Sequence, residues 1–358
     1  VTAFPLRRCE AALGPGVTRL GAAATAIGFA ALVAGVALGF ATVSLGTLAV
    51  SWLFFAGVAA AGVAFSAAVR CSHARWVNVV SPVAEAGAAF FPFALALLAV
   101  LLVLAGLWMP TAAGAGWGAS AWRLLRDLLA SALLFASGRR YLRHARTGDG
   151  SNSTPAAVVY LLLYAAVLSL WAVDLVMSLH DWAPSTVIPP YYFMGAFLAA
   201  IALVALAESV GPEDASTATT RQDLGKLLFA MVIMWGYLLW SAYLPVWYGN
   251  MPDETGQLLA RWEGGWKFVT LGMLATVLVF PFFFLLPERT KRGRKTLAAA
   301  ALSVLTGLFG EHFLLVLPSL PVHLDTPSIL LGACVTIGVI GLFVLTAGSA
   351  FRPREGAR

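Results

Sequence analysis

Apolar residues run along this chain in long, nearly uncharged blocks, too long and too continuous for the alternation of a strand. Ten such blocks are separated by short polar connections. They fall roughly at Thr18–Phe40, Leu45–Val69, Ala86–Met109, Ala121–Gly138, Pro155–Ser178, Pro190–Ser209, Leu224–Trp247, Phe268–Leu286, Thr296–Leu317 and Ser328–Gly348. A stretch of about 18 or more apolar residues is the length an α-helix needs to cross a bilayer. The pattern therefore predicts an all-α polytopic membrane protein of about ten transmembrane helices. A closed β-barrel would read as short alternating segments instead. The fourth block is the weakest, because Arg123, Arg126 and Asp127 put charge at its start.

Composition agrees: 60% of the residues are hydrophobic and 11% are charged, against about 25% charged in soluble domains. The net charge of +6 is a topology signal, with nothing in it to suggest a nucleic-acid partner. All but four of the 23 lysines and arginines fall in the N-terminal segment, the even-numbered connections and the C-terminal tail; the exceptions are Arg123, Arg126, Arg261 and Lys267. Basic residues accumulate on the cytoplasmic side, so both termini are expected in the cytoplasm. The first apolar block follows Arg7 and Arg8 and is expected to be a retained helix. The first two blocks are rich in glycine and alanine and carry no charge in their interior, which suggests a closely packed appendage without chemistry of its own.

The other side collects acids and aromatics. A belt at the membrane interface accounts for most of the tryptophans. The loop from Asn250 to Lys267 is longer and more mixed than a belt requires. Asn250, Asp253, Glu254, Arg261, Trp262 and Trp266 make it a candidate docking loop for a partner outside the membrane. The Asn-Met-Pro turn stops the helix before it.

Ionisable groups inside a span are costly, so each is a candidate site. Tyr160, Tyr164, Trp171, Asp174 and Ser178 recur on one helical face. Asp174 is either a proton carrier or a carboxylate capped by a neighbouring helix. Glu311 and His312 are adjacent, hence about 100° apart on a helix, and do not face one partner. Arg126 is a counter-ion for Asp174 or Glu311 if that end is buried. At the opposite end Glu208, Asp223 and Lys226, with Tyr237 and Ser241 following on the seventh span, and Glu85 before the third, could form the mouth of a proton half-channel. Helix-end charges lying among lipid headgroups are the alternative. The chain has three scattered cysteines and five histidines, of which only His312 lies well inside a span. No iron–sulfur motif, bis-histidine haem pair, phosphate-binding loop or metal motif is present.

Two stretches carry a resemblance. AVDLVMSLHDWAPSTVIPPYYFMGAFLAA (Ala172–Ala200) is similar to a pattern of NrfD-like, polysulfide-reductase-type membrane subunits. WSAYLPVWYGNMPDETGQLLARWEGGWK (Trp240–Lys267) resembles the WYGN-PEET motif of the second such subunit of bacterial alternative complex III, a quinol:electron-acceptor (cytochrome c) oxidoreductase. DLGKLLFA, beginning at Asp223, fits the start of the same helix. The family's acid–histidine order is reversed at His180-Asp181-Trp182, and its Ser-Gln is Ser241-Ala242 here. The resemblance implies a helix pair (1–70), two four-helix bundles (71–210 and 211–350) and a cytoplasmic tail (351–358). It implies a multi-pass subunit in the bacterial inner membrane that binds no cofactor itself, scaffolds the complex and conducts protons. Its partners would be lipids, a homologous NrfD-like sister subunit, an iron–sulfur subunit and haem c subunits, with menaquinol or another quinol as the substrate of the complex. The rival readings are a quinol-binding anchor of a molybdopterin or polysulfide reductase, and a secondary transporter, although no paired interrupted helices are evident from the sequence.

Overall fold

In the computed structural model of the chain, residues 14–74, 77–109, 121–147, 150–179, 185–210, 215–250, 252–322 and 325–351 are described. They form helices throughout. We label these α1 (Pro15–Ala37), α2 (Ala41–Cys71), α3 (Val77–Ala86), α4 (Phe91–Val103), α5 (Ala121–Thr147), α6 (Gly150–Leu175), α7 (Ile188–Val210), α8 (Ala215–Gly249), α9 (Pro252–Ala260), α10 (Trp266–Met273), α11 (Phe280–Phe284), α12 (Glu288–Arg292), α13 (Arg294–Val316) and α14 (Thr326–Ser349). Among the described residues, nine helices are long and apolar enough to cross a membrane, with α3 and α4 acting as one span and α10 and α11 as another. The chain is a multi-pass membrane protein. The fourth expected span is α5, whose 27 residues reach about 40 Å; its charges set it apart from the nine.

The second apolar block is not peripheral. Every residue of α2 from Val43 to Val69 is buried except Phe55 and Ala68. A helix apolar on all sides belongs inside a bundle, and α2 packs against α3, α4, α6, α7, α13 and α14. The expectation of a packing appendage holds only for α1, which is largely exposed and lies along α14. Their seam is made of glycine: Gly21, Gly28 and Gly35 recur every seven residues on the buried face of α1. Gly28 and Gly338 meet backbone to backbone, so a Cβ on either would overlap the other. Lipid gives helices no hydrophobic reason to associate, and small residues supply close van der Waals contact instead.

Two spans are interrupted, which the sequence did not reveal. The third passes through a 3-10 turn at Gly87–Phe90, between Pro82 and Pro92. The eighth widens to a π-helix at Leu274–Val279, just before Pro281. Proline lacks the amide proton and crowds the carbonyl four residues back, so the register changes there. The Ser303 hydroxyl donates to the Thr276 carbonyl at 2.8 Å, as side chains from neighbouring helices do around prolines in membranes. Both interruptions remain helical.

Tryptophan divides between belt and core. Trp122, Trp240, Trp247 and Trp262 are exposed, while Trp52, Trp108, Trp171 and Trp235 are fully buried. The face of α6 expected from spacing is inward: Tyr160, Tyr164, Trp171 and Asp174 are all buried.

The glycine seam gives a direct expectation. Gly338→Ala should lower the stability of the purified protein in thermal unfolding by about 1–3 kcal/mol, the cost of overpacking. Gly310→Ala, whose Cβ would meet nothing within 4 Å, should be neutral or slightly stabilising.

Candidate functional site

At the end where α6 hands over to α7, four charged side chains form one cluster. Asp174 lies in the last turn of α6, where carbonyls lose their helical partners. Arg126 pairs with its carboxylate. Arg123 donates to its backbone carbonyl at 2.5 Å, and the Ser178 hydroxyl does the same at 2.5 Å. Asp127 sits between the arginines, 3.2 Å from Arg126 Nε and 3.9 Å from Arg123 Nε. Asp174, Asp127 and Arg123 are buried and Arg126 is 17% exposed. Two cations and two anions cancel, which lets four charges sit inside a bundle. The helix ends favour the arrangement: cations belong beside the C-terminus of α6, and an acid in the opening turns of α5. Of the two counter-ions sequence allowed Arg126, the structure selects Asp174.

The second cluster centres on α13. Tyr191, in the first turn of α7, donates its hydroxyl to Glu311. His312 points elsewhere, as expected for the adjacent position. Its Nδ1 is 2.7 Å from the Leu308 carbonyl. Its ring stands edge-on to Phe54 at 5.3 Å and beside Tyr192 at 5.8 Å. Glu311 and His312 are both buried. Tyr192 donates to the Leu53 carbonyl of α2 at 2.8 Å. The two clusters share an end of the bundle, but α2 separates them: Trp52 packs on Trp171 toward Asp174, and Phe54 on His312.

A third network lies toward the opposite end. Glu85 of α3 is buried and accepts from the Ser66 hydroxyl of α2 at 2.7 Å. It also meets Arg70 at 3.3 Å and Arg146 at 3.9 Å. The Tyr141 hydroxyl lies 3.1 Å from Ser66 Oγ. Of these, sequence pointed only to Glu85; Ser66 and Tyr141 are ordinary helix residues until the fold brings them together. Along α5, Tyr141 is about 21 Å from Asp127 at 1.5 Å per residue, most of a membrane's apolar thickness.

The remaining candidates are placed as follows. Glu208 is buried near the C-terminus of α7, whose last carbonyls accept from Arg294 at 2.5 and 2.6 Å. Asp223 and Lys226 pair with one another at 3.3 Å on the surface. Tyr237 is 64% exposed and Ser241 half-buried, so the stripe expected to lead inward along α8 lies on its outer face. The inward face of α8 is Leu224, Leu228, Val232 and Trp235.

The candidate docking loop is partly helical. Asn250 turns out of α8 with φ of +44°, a conformation asparagine tolerates better than most residues. Pro252 then opens α9, a helix start that suits proline; Asp253 and Glu254 occupy its first turn. Trp262 is exposed, Trp266 starts α10, and the Arg261 carbonyl accepts from Thr270 at 2.9 Å. Arg261 is half-buried by area, yet its Nε and Nη2 are shut off from solvent without a hydrogen-bond partner among the described residues. Burial pulls this guanidinium from the usual arginine range down to about 10.

Among the described residues, no group of three or more His, Cys, Asp or Glu side chains is placed to hold a metal ion. No protein-family model matches the chain, and no curated protein matches it either.

Two expectations follow from this geometry. Asp174→Asn leaves Asp127 as the one acid among the described residues facing both Arg123 and Arg126 and should cost about 3–5 kcal/mol, whereas adding Arg126→Gln should recover part of that loss. A thermal-unfolding double-mutant cycle reads the coupling, and additive effects would dismiss the pairing. Arg261 is protonated less readily in the folded state, so the folded chain binds fewer protons than the unfolded one from about pH 10 upward to the ordinary arginine range. Its burial cost is therefore fully present below about pH 10 and is relieved as pH rises. Arg261→Gln should accordingly leave stability at neutral pH unchanged or raised, as measured by thermal unfolding.

Proposed function

We propose that this chain is a membrane subunit, free of its own redox cofactor, of a bacterial quinol:electron-acceptor oxidoreductase of the alternative complex III type. It scaffolds the complex and conducts protons. The likeness in Trp240–Lys267 and Ala172–Ala200 points to that family. The observation that favours proton conduction is chemical. Carboxyl groups are held inside the membrane-spanning bundle near both ends, Asp174 and Glu311 at one and Glu85 and Glu208 at the other. Ionisable groups are kept in membranes where they serve ions, protons or ligands.

On this reading, the excess of lysine and arginine puts the Glu85 end and both termini in the cytoplasm. The Asp174–Glu311 end and the Asn250–Lys267 loop face outward in the inner membrane. Protons enter past Glu208, Asp223 and Lys226, with Glu85 and its Ser66–Tyr141 network at the same end of the bundle. They leave past Glu311, His312 and the Arg126–Asp174 pair. Asn250, Asp253, Glu254, Arg261, Trp262 and Trp266 meet the iron–sulfur and haem c subunits. The NrfD-like sister subunit lies beside the helices in the membrane, where menaquinol or another quinol is oxidised. Residues 1–70 make the helix pair, 71–210 and 211–350 the two four-helix bundles, and 351–358 the cytoplasmic tail.

Affinity purification on a tag carried by this chain tests the assembly. Haem c and iron–sulfur subunits should co-purify; a chain that purifies alone and carries a solute would fail the reading. Glu311→Gln keeps an acceptor for Tyr191 but removes the titratable group. In proteoliposomes of the intact complex it should lower proton release per quinol toward the value set by quinol chemistry alone. Unchanged stoichiometry and turnover would remove Glu311 from the path.

A further inference from the structure

Five of the eight tyrosines lie inside the bundle with their hydroxyls answered. Tyr160, Tyr164 and Tyr192 donate to the carbonyls of Ala60, Phe193 and Leu53, Tyr191 donates to Glu311, and Tyr141 meets Ser66. The other three lie on α8. Tyr243, stacked on Trp247, and Tyr248 stand toward the end of the helix, where tyrosine and tryptophan suit a membrane boundary. Tyr237 has no such excuse. It is 64% exposed, and its hydroxyl has no hydrogen-bond partner among the described residues.

Depth makes this costly. From Leu227 to Val246, α8 carries no charge, a run of about 30 Å at 1.5 Å per residue, the thickness of a bilayer's hydrocarbon core. The Lys226–Asp223 pair marks one end of the run and exposed Trp247 the other. Tyr237 stands at its centre, about 15 Å from either boundary, too far for a phenol to reach a headgroup. A serine here could turn back onto its own helix, as Ser169 and Ser209 do onto the carbonyls of Ala165 and Ala205. A tyrosine hydroxyl stands too far from its own backbone for that. Lipid tails offer no acceptor, and a hydroxyl left without one in hydrocarbon is unfavourable.

The face around Tyr237 has the form of a helix seam. Ala230, Ile233, Tyr237, Trp240, Leu244 and Trp247 are all exposed, at spacings that alternate three and four residues. That is the 3.5-residue repeat of left-handed helix pairing, in which a polar residue within an apolar seam fixes partner and register. Trp240, Tyr243 and Trp247 brace one another along it, with successive ring centroids 5.9 and 6.4 Å apart. The opposite face of α8 is the one given to its own bundle.

We propose that this outer face of α8 is an intramembrane interface, covered by a transmembrane helix of a partner subunit that brings a hydrogen-bonding side chain to the level of Tyr237. Ile233, Trp240 and Leu244 supply apolar contact, and the Tyr237 hydroxyl sets depth and register. The name of the partner rests on the assembly proposed above; the interface does not.

Photocrosslinking in native membranes tests it. A benzoyl-phenylalanine replacing Ile233 or Leu244 should crosslink to a transmembrane span of a second protein that co-purifies with the tagged chain in fixed stoichiometry. Tyr237→Phe keeps the ring and removes a hydroxyl that touches nothing in this chain. It should weaken the association about three- to tenfold, the range for a hydrogen bond between membrane helices, read as partner retained on the tagged chain over a dilution series in detergent. Thermal unfolding of the isolated chain should not change. Crosslinks to lipid alone, or to a second copy of this chain, overturn the interface, and so does unchanged association in Tyr237→Phe. A crosslinked membrane helix in an assembly without haem c and iron–sulfur subunits keeps the interface and sinks the functional reading. Those subunits co-purifying while both probes reach only lipid does the reverse.

Discussion

The arrangement depends on α2 being apolar on every side. Such a helix gains nothing from facing water and offers no stripe that singles out one neighbour, so it settles where neighbours surround it. Its backbone then becomes a resource. A helical carbonyl has a second lone pair, and three aromatic donors use the α2 axis or reach across it: Tyr160 donates to the Ala60 carbonyl at 2.9 Å, Tyr192 to that of Leu53, and Trp52 outward to Ala94. Polar groups that would be expensive in a membrane interior are thereby satisfied without a polar side chain on α2 at those points. At Ser66 α2 does supply one, and a network forms there.

The buried charges follow the same economy of partners. Each carboxylate is answered by a group one or two helices away: Asp174 by Arg126, Glu311 by Tyr191, Glu85 by Ser66 and Arg70. The Arg–Asp cluster is neutral as a whole and closes the end of α6. Among the described residues no cation pairs with Glu311; a phenol holds one oxygen, and the Trp235 indole lies on the side of the other. The two environments differ: the Asp174 carboxylate meets arginine and ties α6 to α5, whereas Glu311 meets a neutral phenol donor from α7.

Much of this was legible in the chain itself. Block length and the near-absence of charge give the helices, and the spacing of Tyr160, Tyr164, Trp171 and Asp174 gives the inward face of α6. Arg126 was a candidate partner because charge at the head of a span must be answered or solvated. The outward turn of Tyr237 was not legible, because α8 carries aromatic residues on several faces and periodicity cannot choose between them. The centrality of α2 was equally hidden: glycine and alanine announce close packing without saying how many neighbours share it. Tyr191 and Trp235 are ordinary aromatic residues in sequence, and only the crossing of α7, α8 and α13 turns them into the surroundings of Glu311.

That crossing also bears on why the two clusters at one end stay distinct. Trp52, Trp171 and Phe54 fill the space between Asp174 and His312 with aromatic rings, and rings carry no protons. Any passage between the clusters must therefore run around α2 and not through it. On its other side, Glu311 Oε2 and the Trp235 indole N–H lie 4.0 and 3.9 Å from the position a Gly195 Cβ would take. The Arg–Asp cluster on α5 and α6 and the Glu311–Tyr191 pair on α13 and α7 are thus held by separate sets of partners.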